Sequence, residues 1–494
     1  MITLFSRARQ SKEILPSLFI SEGRYEGATD DDFQMGTLMK KRNIIGKLNG
    51  RKASVACLWL AMSLLWLSPV IGRAADSSSS KVFNVRELGA TGNGKTLDTA
   101  AIQKAFDVCG KAGGGTVLFP AGTYLSQPLT LRARTTVLLE AGATLLATTD
   151  QSDFMKVRGN WLEAKSSGDF IPFIGGRNLT DITFTGQGTI DGNGAAWCGE
   201  AEKARQKKSG YTLPRPNLIG LDRCQNVRME NITLQNSPKF HFVPADCEDV
   251  VVSNVTILAP VHAANTDAID PSGRRMLITK CKIDVGDDDV AIKAGKSTPP
   301  GQFESEDITV SDCTILHGHG ISIGSETDGG VRNVTVRNCT FENTENGLRI
   351  KSQRGKGGLV ENIRYSDITM KNVNPAITLT CYYMNNSAGD TAQPSAAQAD
   401  SAQLASTRTP VFRNIYISNV TASCLKSAGV ITGLPDSPIS NVVFENVRIS
   451  AASGLAIKNA KGIQFKDVQV TATEGPPFIL NNAQVEGLAQ TGGK

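Results

Sequence analysis

Beyond residue 75 the chain has no net charge. The excess of +5 lies in the N-terminal segment, where Lys and Arg outnumber Asp and Glu. A basic pI of about 8.6 therefore says nothing about nucleic acid, and attraction to an acidic partner must come from a local patch. Helical periodicity is also scarce. One stretch, Thr99–Cys109, has helical spacing and the segments after it do not, which excludes helical and leucine-rich repeats. Histidine is rare, four in 494 residues, and no stretch resembles a redox, phosphoryl-transfer or zinc site. No cofactor or metal is expected.

Long apolar runs are nearly missing as well. The exception, Ala53–Gly72, follows the basic stretch from Met39 to Lys52 and precedes the small residues of Gly72-Arg-Ala74. Basic, apolar, cleavable is the order of a signal peptide, so residues 39–75 read as an export signal. An uncleaved anchor is the rival reading. Residues 1–38 precede the better start at Met39 and read as a mis-assigned or disordered extension. The mature chain is then expected in the periplasm or outside the cell, off the membrane. Nine of the ten cysteines follow Cys57, an odd number in an exported protein. Cys281, Cys313 and Cys339 occupy apolar slots, where cysteine behaves as a small hydrophobe. A pairing of Cys198 with Cys224 or Cys247 stays open.

What is present is repetition. Alternating apolar residues followed by Asn or Asp and then Val, Ile or Cys recur as Met229-Glu-Asn-Ile232, Val252-Ser-Asn-Val255, Val310-Ser-Asp-Cys313, Val336-Arg-Asn-Cys339, Tyr365-Ser-Asp-Ile368, Ile417-Ser-Asn-Val420, Phe444-Glu-Asn-Val447 and Phe465-Lys-Asp-Val468. Thr279-Lys-Cys281 is a degenerate copy. The Asn/Asp positions are 21 to 32 residues apart, except for 52 between Asp367 and Asn419. Such periods mark solenoids. Short β-rich units turning on Asn and Gly select an all-β parallel β-helix, with Thr99–Cys109 as a short N-terminal capping helix and 81–494 as a single domain. The Asn-x-Thr sequons at Asn231, Asn254, Asn338 and Asn419 follow from the repeat and read as turn residues. Trp197–Pro216, with its five cations, and Asn385–Thr409 break the rhythm and read as inserted loops.

Four stretches depart from the plain repeat: Asn265-Thr-Asp-Ala-Ile-Asp270, Gly286-Asp-Asp-Asp289, Gly318-His-Gly320 and Arg349-Ile-Lys351. They lie 20, 31 and 30 residues apart from Asp267 to Asp287, Asp288 to His319 and His319 to Arg349, each near one coil. Coils stack at roughly 4.8 Å, so four would form a strip about 15 Å long. Arg349 and Lys351 share a face opposite Ile350. His319 has the parity of Ile321 and needs a bend, which Gly318 and Gly320 supply. A bend at Gly286 would turn Asp287 and Asp288 toward solvent. Asp267 also needs a bend, and Asp270 reads as a solvated neighbour. Lys293 is either a further cleft cation or a surface lysine; His241, His262 and His317 read as structural. Crowded carboxylates push pKa values apart, as acid/base cleavage of a glycoside requires, and paired cations imply an anionic sugar.

Taken together, these motifs resemble the signature of the polygalacturonases, pectin-degrading glycoside hydrolases built on a right-handed parallel β-helix. The resemblance runs from about Lys81 to the end and includes Gly113-Gly-Gly-Thr-Val, Phe119-Pro-Ala-Gly and Gly188-Thr-Ile-Asp-Gly192. It implies that Asp287 is the general acid and that Asp267 and Asp288 hold and activate water in an inverting mechanism. His319 would tune the acid or maintain the hydrogen bonding around it, Arg349 and Lys351 bind galacturonate carboxylates, Tyr383 contact substrate and Asn265 shape the site. The implied partner is an acidic plant polysaccharide, polygalacturonate or pectin, attacked by a monomer, in exo mode if an insert such as Trp197–Pro216 closes the cleft. Two positions depart from the pattern. Asp289 stands where cysteine is common, adding a negative charge that would weaken substrate binding or point elsewhere, and Ala268 replaces a glycine. The alternatives are a hydrolase of rhamnogalacturonan or xylogalacturonan, a calcium-dependent pectate lyase, and a non-catalytic glycan-binding β-helix.

Overall fold

The computed structural model describes residues 81–488, apart from Lys165, residues 208–212, Ser297, Pro300 and residues 384–405. The expected 1–38 extension, the 39–75 signal and nearly all of the Asn385–Thr409 insert lie outside the described residues.

Strand after strand pairs in parallel with its counterpart one turn later, which is the path of a β-helix. One complete turn runs through Ser305–Ser311, Thr314–Leu316 and Ile321–Gly324; the next repeats it in Val331–Glu342 and Leu348–Lys351. Three faces result. The third is built from β1 (Val290–Ile292), β2 (Ile321–Gly324), β3 (Leu348–Lys351), β4 (Ile377–Thr380) and β5 (Ser427–Thr432). In register across it, Ile292, Ile323, Ile350, Leu379 and Ile431 stack as one inward column. All five are buried, and each such side chain contributes roughly 2 kcal/mol of apolar burial. A one-residue slip would expose the whole column, so the register is strongly specified.

The repeated Asn/Asp positions are the corners. Asn231, Asn254, Asp312, Asn338, Asp367, Asn419, Asn446 and Asp467 all have left-handed backbone, as does Lys280 in the degenerate copy. The amides bond along the stack: Asn254 Nδ2 donates to Asn231 Oδ1 at 2.8 Å, and Asn446 Nδ2 to Asn419 Oδ1 at 2.9 Å. A second row of left-handed corners stands five residues earlier, through Asn226, Asp249, Asp307, Asn333, Asn362, Asn414 and Asn441. There Asn333 Nδ2 donates to Asp307 Oδ1 at 3.0 Å.

Helix α1 (Thr99–Lys111) closes the N-terminal end, burying Ile102, Ala105, Phe106 and Cys109. The Trp197–Pro216 segment, expected as a loop, begins as helix α2 (Ala195–Lys207). Buried Trp197 anchors it edge-on against Phe154 and Phe170, with ring centroids 5.5 and 6.0 Å away. All nine described cysteines are free thiols, Cys198, Cys224 and Cys247 among them. Cys281, Cys313 and Cys339 are core side chains.

Candidate active site

The four motif stretches converge at the third face, each supported by the next turn. The Ala268 N–H donates to the Asp288 carbonyl at 3.0 Å, and that of His319 to the Asp287 carbonyl at 2.8 Å. Arg349 and Lys351 stand in register with Ser322 and Gly324. Ile350 points inward between them, as their parity requires.

Asp288 is the most heavily partnered group. Arg349 Nη2 contacts its Oδ1, Lys351 Nζ stands 2.8 Å from its Oδ2, and Ser322 Oγ donates to Oδ1 at 3.0 Å. Arg349 Nε donates to the same Ser322 oxygen at 2.9 Å. Burial alone would raise the Asp288 pKa, but the two cations outweigh it and hold the carboxyl far below the usual range. These charges are almost sealed from water, a cost repaid only because both carboxylate oxygens are satisfied.

Asp287 is less enclosed. Its Oδ2 accepts the Asn265 N–H at 2.8 Å, and its Oδ1 lies 3.1 Å from His319 Nδ1. Burial is again outweighed, here by the hydrogen bond and charge of His319, and the carboxyl falls to about 2. His319 rises to about 10: burial would lower it, but Asp287 and Glu345 hydrogen-bond its ring. Gly318 and Gly320, both left-handed, make the expected bend. Gly286 acts differently. A Cβ there would lie 2.6 Å from the carbonyl oxygens of Pro260 and Ala263, so its role is close approach rather than turning.

Asp267 is buried, and its Oδ1 has no hydrogen-bond partner. Burial, with Asp270, Asp287 and Asp288 nearby, pushes its pKa well up. Asp270 is not the solvated neighbour expected from sequence. It is 3% exposed, lies 3.9 Å from Lys293 Nζ, and is raised to about 7 by burial against the pull of that lysine. Lys293 stands inside this cluster rather than on open surface; it lies 3.6 Å from Glu326 and donates to the Gly324 carbonyl at 3.2 Å. Asp289 adds no charge to the cleft. It points into the fold, is fully buried, and its Oδ2 accepts the Gly320 N–H at 2.8 Å; burial raises its pKa well above the normal range. Tyr383 joins the site, with Lys351 Nζ 4.8 Å from its ring centroid.

Sequence reasoning missed three contributors. Ser322 couples Arg349 to Asp288, and strand register alone would have pointed to it. Glu345 Oε2 lies 3.1 Å from His319 Nε2. Arg215, read only as one of several insert cations, is buried. It donates to the carbonyls of Pro238 at 2.8 Å and Ala264 at 3.0 Å, and to Asn265 Oδ1 at 3.1 Å. His241 is structural, lowered by burial to about 4, with its ring nitrogens against the carbonyls of Asp267 and Leu258. His317 pairs with Asp284 at 2.8 Å rather than with Asp287 or Asp288.

Among the described residues, Asp287, Asp288 and His319 are the set with metal-ligand spacing, their atoms within 4.8 Å of one another. The donor set fits a metal poorly. Both Asp288 oxygens face protein cations, and both His319 nitrogens face carboxylates.

An all-parallel β-helix carrying adjacent carboxylates, an imidazole and paired cations on one face has the parts of an acid/base glycoside hydrolase. The chain belongs to the glycosyl hydrolases family 28, whose family model matches residues 109–486. It is 33% identical over 374 residues to an endo-polygalacturonase of Pectobacterium carotovorum subsp. carotovorum, covering 73% of this chain and 86% of that one. An exopolygalacturonase of Zea mays is 30% identical over 438 residues, covering 83% and 97%. The solved polygalacturonase from Erwinia carotovora ssp. carotovora superposes with a TM-score of 0.65 at 31% identity, covering 79% of this chain and 97% of that one.

Proposed function

We propose that this hydrolase is a polygalacturonase that cleaves α-1,4-linked galacturonic acid in polygalacturonate or pectin with inversion. The observation that carries the reading is the Arg349–Asp288–Lys351 arrangement, which sets two fixed cations beside an ionised carboxylate at the floor of the site. A galacturonate carboxylate matches those cations in charge and hydrogen-bonding geometry.

The charge states sort the roles. Asp288, held ionised, is the group able to take a proton from water. Asp267, held neutral by burial, orients that water by hydrogen bonding. Asp287 gives its proton to the leaving oxygen. In the free enzyme that proton resides on His319, and a bound sugar carboxylate nearby raises the affinity of Asp287 for it. Asn265 fixes Asp287 through its backbone N–H, and Tyr383, with Lys293 on the other flank, borders the bound sugar.

Helix α2 packs beside the loop that leads into Asn265, where Cys198, Ala201, Arg215, His262 and Ala264 line a cavity of about 110 Å³. This wall favours action from chain ends. The apolar 53–72 run supports export to the periplasm or medium, where the enzyme acts as a monomer.

Reducing-end release from polygalacturonate, with ultraviolet absorbance recorded in parallel, tests the reading. Hydrolysis produces reducing ends without an unsaturated chromophore. An absorbing product would indicate a lyase, and no product a binding protein. Turnover confined to rhamnogalacturonan or xylogalacturonan would move the substrate. A viscosity drop outpacing reducing ends would overturn the exo assignment.

A further inference from the structure

His319 is held from both sides. Its Nδ1 lies 3.1 Å from Asp287 Oδ1, and its Nε2 lies 3.1 Å from Glu345 Oε2. A neutral imidazole has one N–H and can donate to only one of these carboxylates; the imidazolium donates to both. Glu345 belongs to the turn that enters β3, two coils beyond Asp287 and one beyond His319, and its backbone N–H donates to the Gly318 carbonyl at 2.8 Å. That bond fixes the turn against the residue preceding His319. The Glu345 side chain is 61% exposed against 20% for His319, so its field is partly screened.

We propose that Glu345 is a positioning residue that keeps His319 in the doubly donating imidazolium form, so that His319 Nδ1 carries the proton that Asp287 delivers to the leaving oxygen. The proposal rests on the hydrolase reading above. The N–H bond at His319 breaks as the O–H bond at Asp287 Oδ1 forms. Asp287 then passes this proton to the glycosidic oxygen as the C–O bond breaks. Water adds at the anomeric carbon and loses its proton to Asp288, from which it returns to solvent; His319 takes up a fresh proton for the next turnover.

The charges around the imidazole are Asp287 and Glu345 in direct contact, with Asp288 and Arg349 from the stacked turns; the nearby Asp289 carboxyl is pushed toward its neutral form by burial. Glu345 is the one in direct contact that has no assigned part in the chemistry, so it can be altered without removing the acid.

The test is the pH dependence of kcat/KM on polygalacturonate for E345Q and E345A. Loss of one opposing charge should move the alkaline limb about one pH unit toward acid, with KM at pH 5 near that of the wild type. E345Q keeps the hydrogen-bond acceptor and should shift less than E345A. An unmoved limb in both variants, or a change confined to KM, overturns the proposal. The second readout is independent of turnover: 15N NMR titration of the His319 ring, assigned by its loss in H319N. The ring should titrate at lower pH in both variants, and unchanged titration overturns the clamp. If the wild type fails to cleave polygalacturonate, the functional reading falls, while the NMR titration still decides whether Glu345 holds the imidazolium.

Discussion

Lys351 Nζ stands 2.8 Å from Asp288 Oδ2, and both side chains are almost closed to solvent. Together with Arg349 it keeps Asp288 ionised despite burial. K351M should therefore raise the Asp288 pKa and move the acid limb of the kcat/KM profile to higher pH. The sign follows from the depressed carboxyl, because removing a cation lets protonation begin at less acid pH. We expect kcat/KM to fall about 10²-fold near pH 5, with KM raised by the lost contact. Steady-state kinetics from pH 3 to 8 check it.

D288N and D287N should each lose about 10²- to 10⁴-fold in kcat, the usual worth of positioned acid/base groups. Near-UV circular dichroism should show both variants folded. A binding protein would keep its affinity for polygalacturonate oligomers and show no turnover to lose.

Asp289 makes a stability prediction of the opposite sign to Asp288. Its folded pKa is raised, so the unfolded chain releases this proton first as pH rises past about 4. Stability is then drawn down from about pH 4 until the folded pKa is passed. D289N, neutral at all pH, should flatten that decline and raise Tm at pH 7 by about 2–4 °C relative to wild type. Melting curves at pH 4.5 and 7 check it.

Lys280 occupies a left-handed corner where neighbouring turns use Asn or Asp. K280N relieves that strain and offers an amide to Asn254 Oδ1, the bonding used along the rest of the row. A gain of about 1 kcal/mol is expected in urea unfolding.

Arg215 ties the insert to the loop that holds Asn265, whose N–H reaches Asp287. R215M should lower kcat about tenfold by loosening that loop, with KM little changed; R215K, which keeps charge but loses the fork, should recover only part of it. Kinetics on the two variants check it.

Much of this architecture is legible in the amino-acid sequence because one physical rule covers it. Alternation puts Ile350 inside with Arg349 and Lys351 on the other face, and the coil interval stacks them above Asp288. The reading failed where that rule lapses. The segment around Asp270 is not a regular strand, and residues 266–272 are all buried, so parity carried no information about exposure. Residues 288–292 are buried on both faces, which is how Asp289 goes inward beside a cleft-facing Asp288. Asn333 and Asn338 are two corners of one turn. The same Asn-plus-apolar pair recurs five residues apart in successive turns, and both are left-handed corners although the repeat motif marks only the second. Glu345 had no such pattern; its role depends on a turn whose path the spacing does not specify.

The 52-residue interval between Asp367 and Asn419 still spans one coil in register, since Ile368 pairs with Val420 and Leu379 with Ile431. The extra residues enter the chain after β4 and Tyr383, whose ring lies beside Lys351 at the rim of the candidate site. Distances among the reacting groups are thus set by strand spacing and resist change, whereas the rim can lengthen or shorten without disturbing them. New substrate preferences in such a molecule would arise at that edge, leaving the catalytic floor as it is.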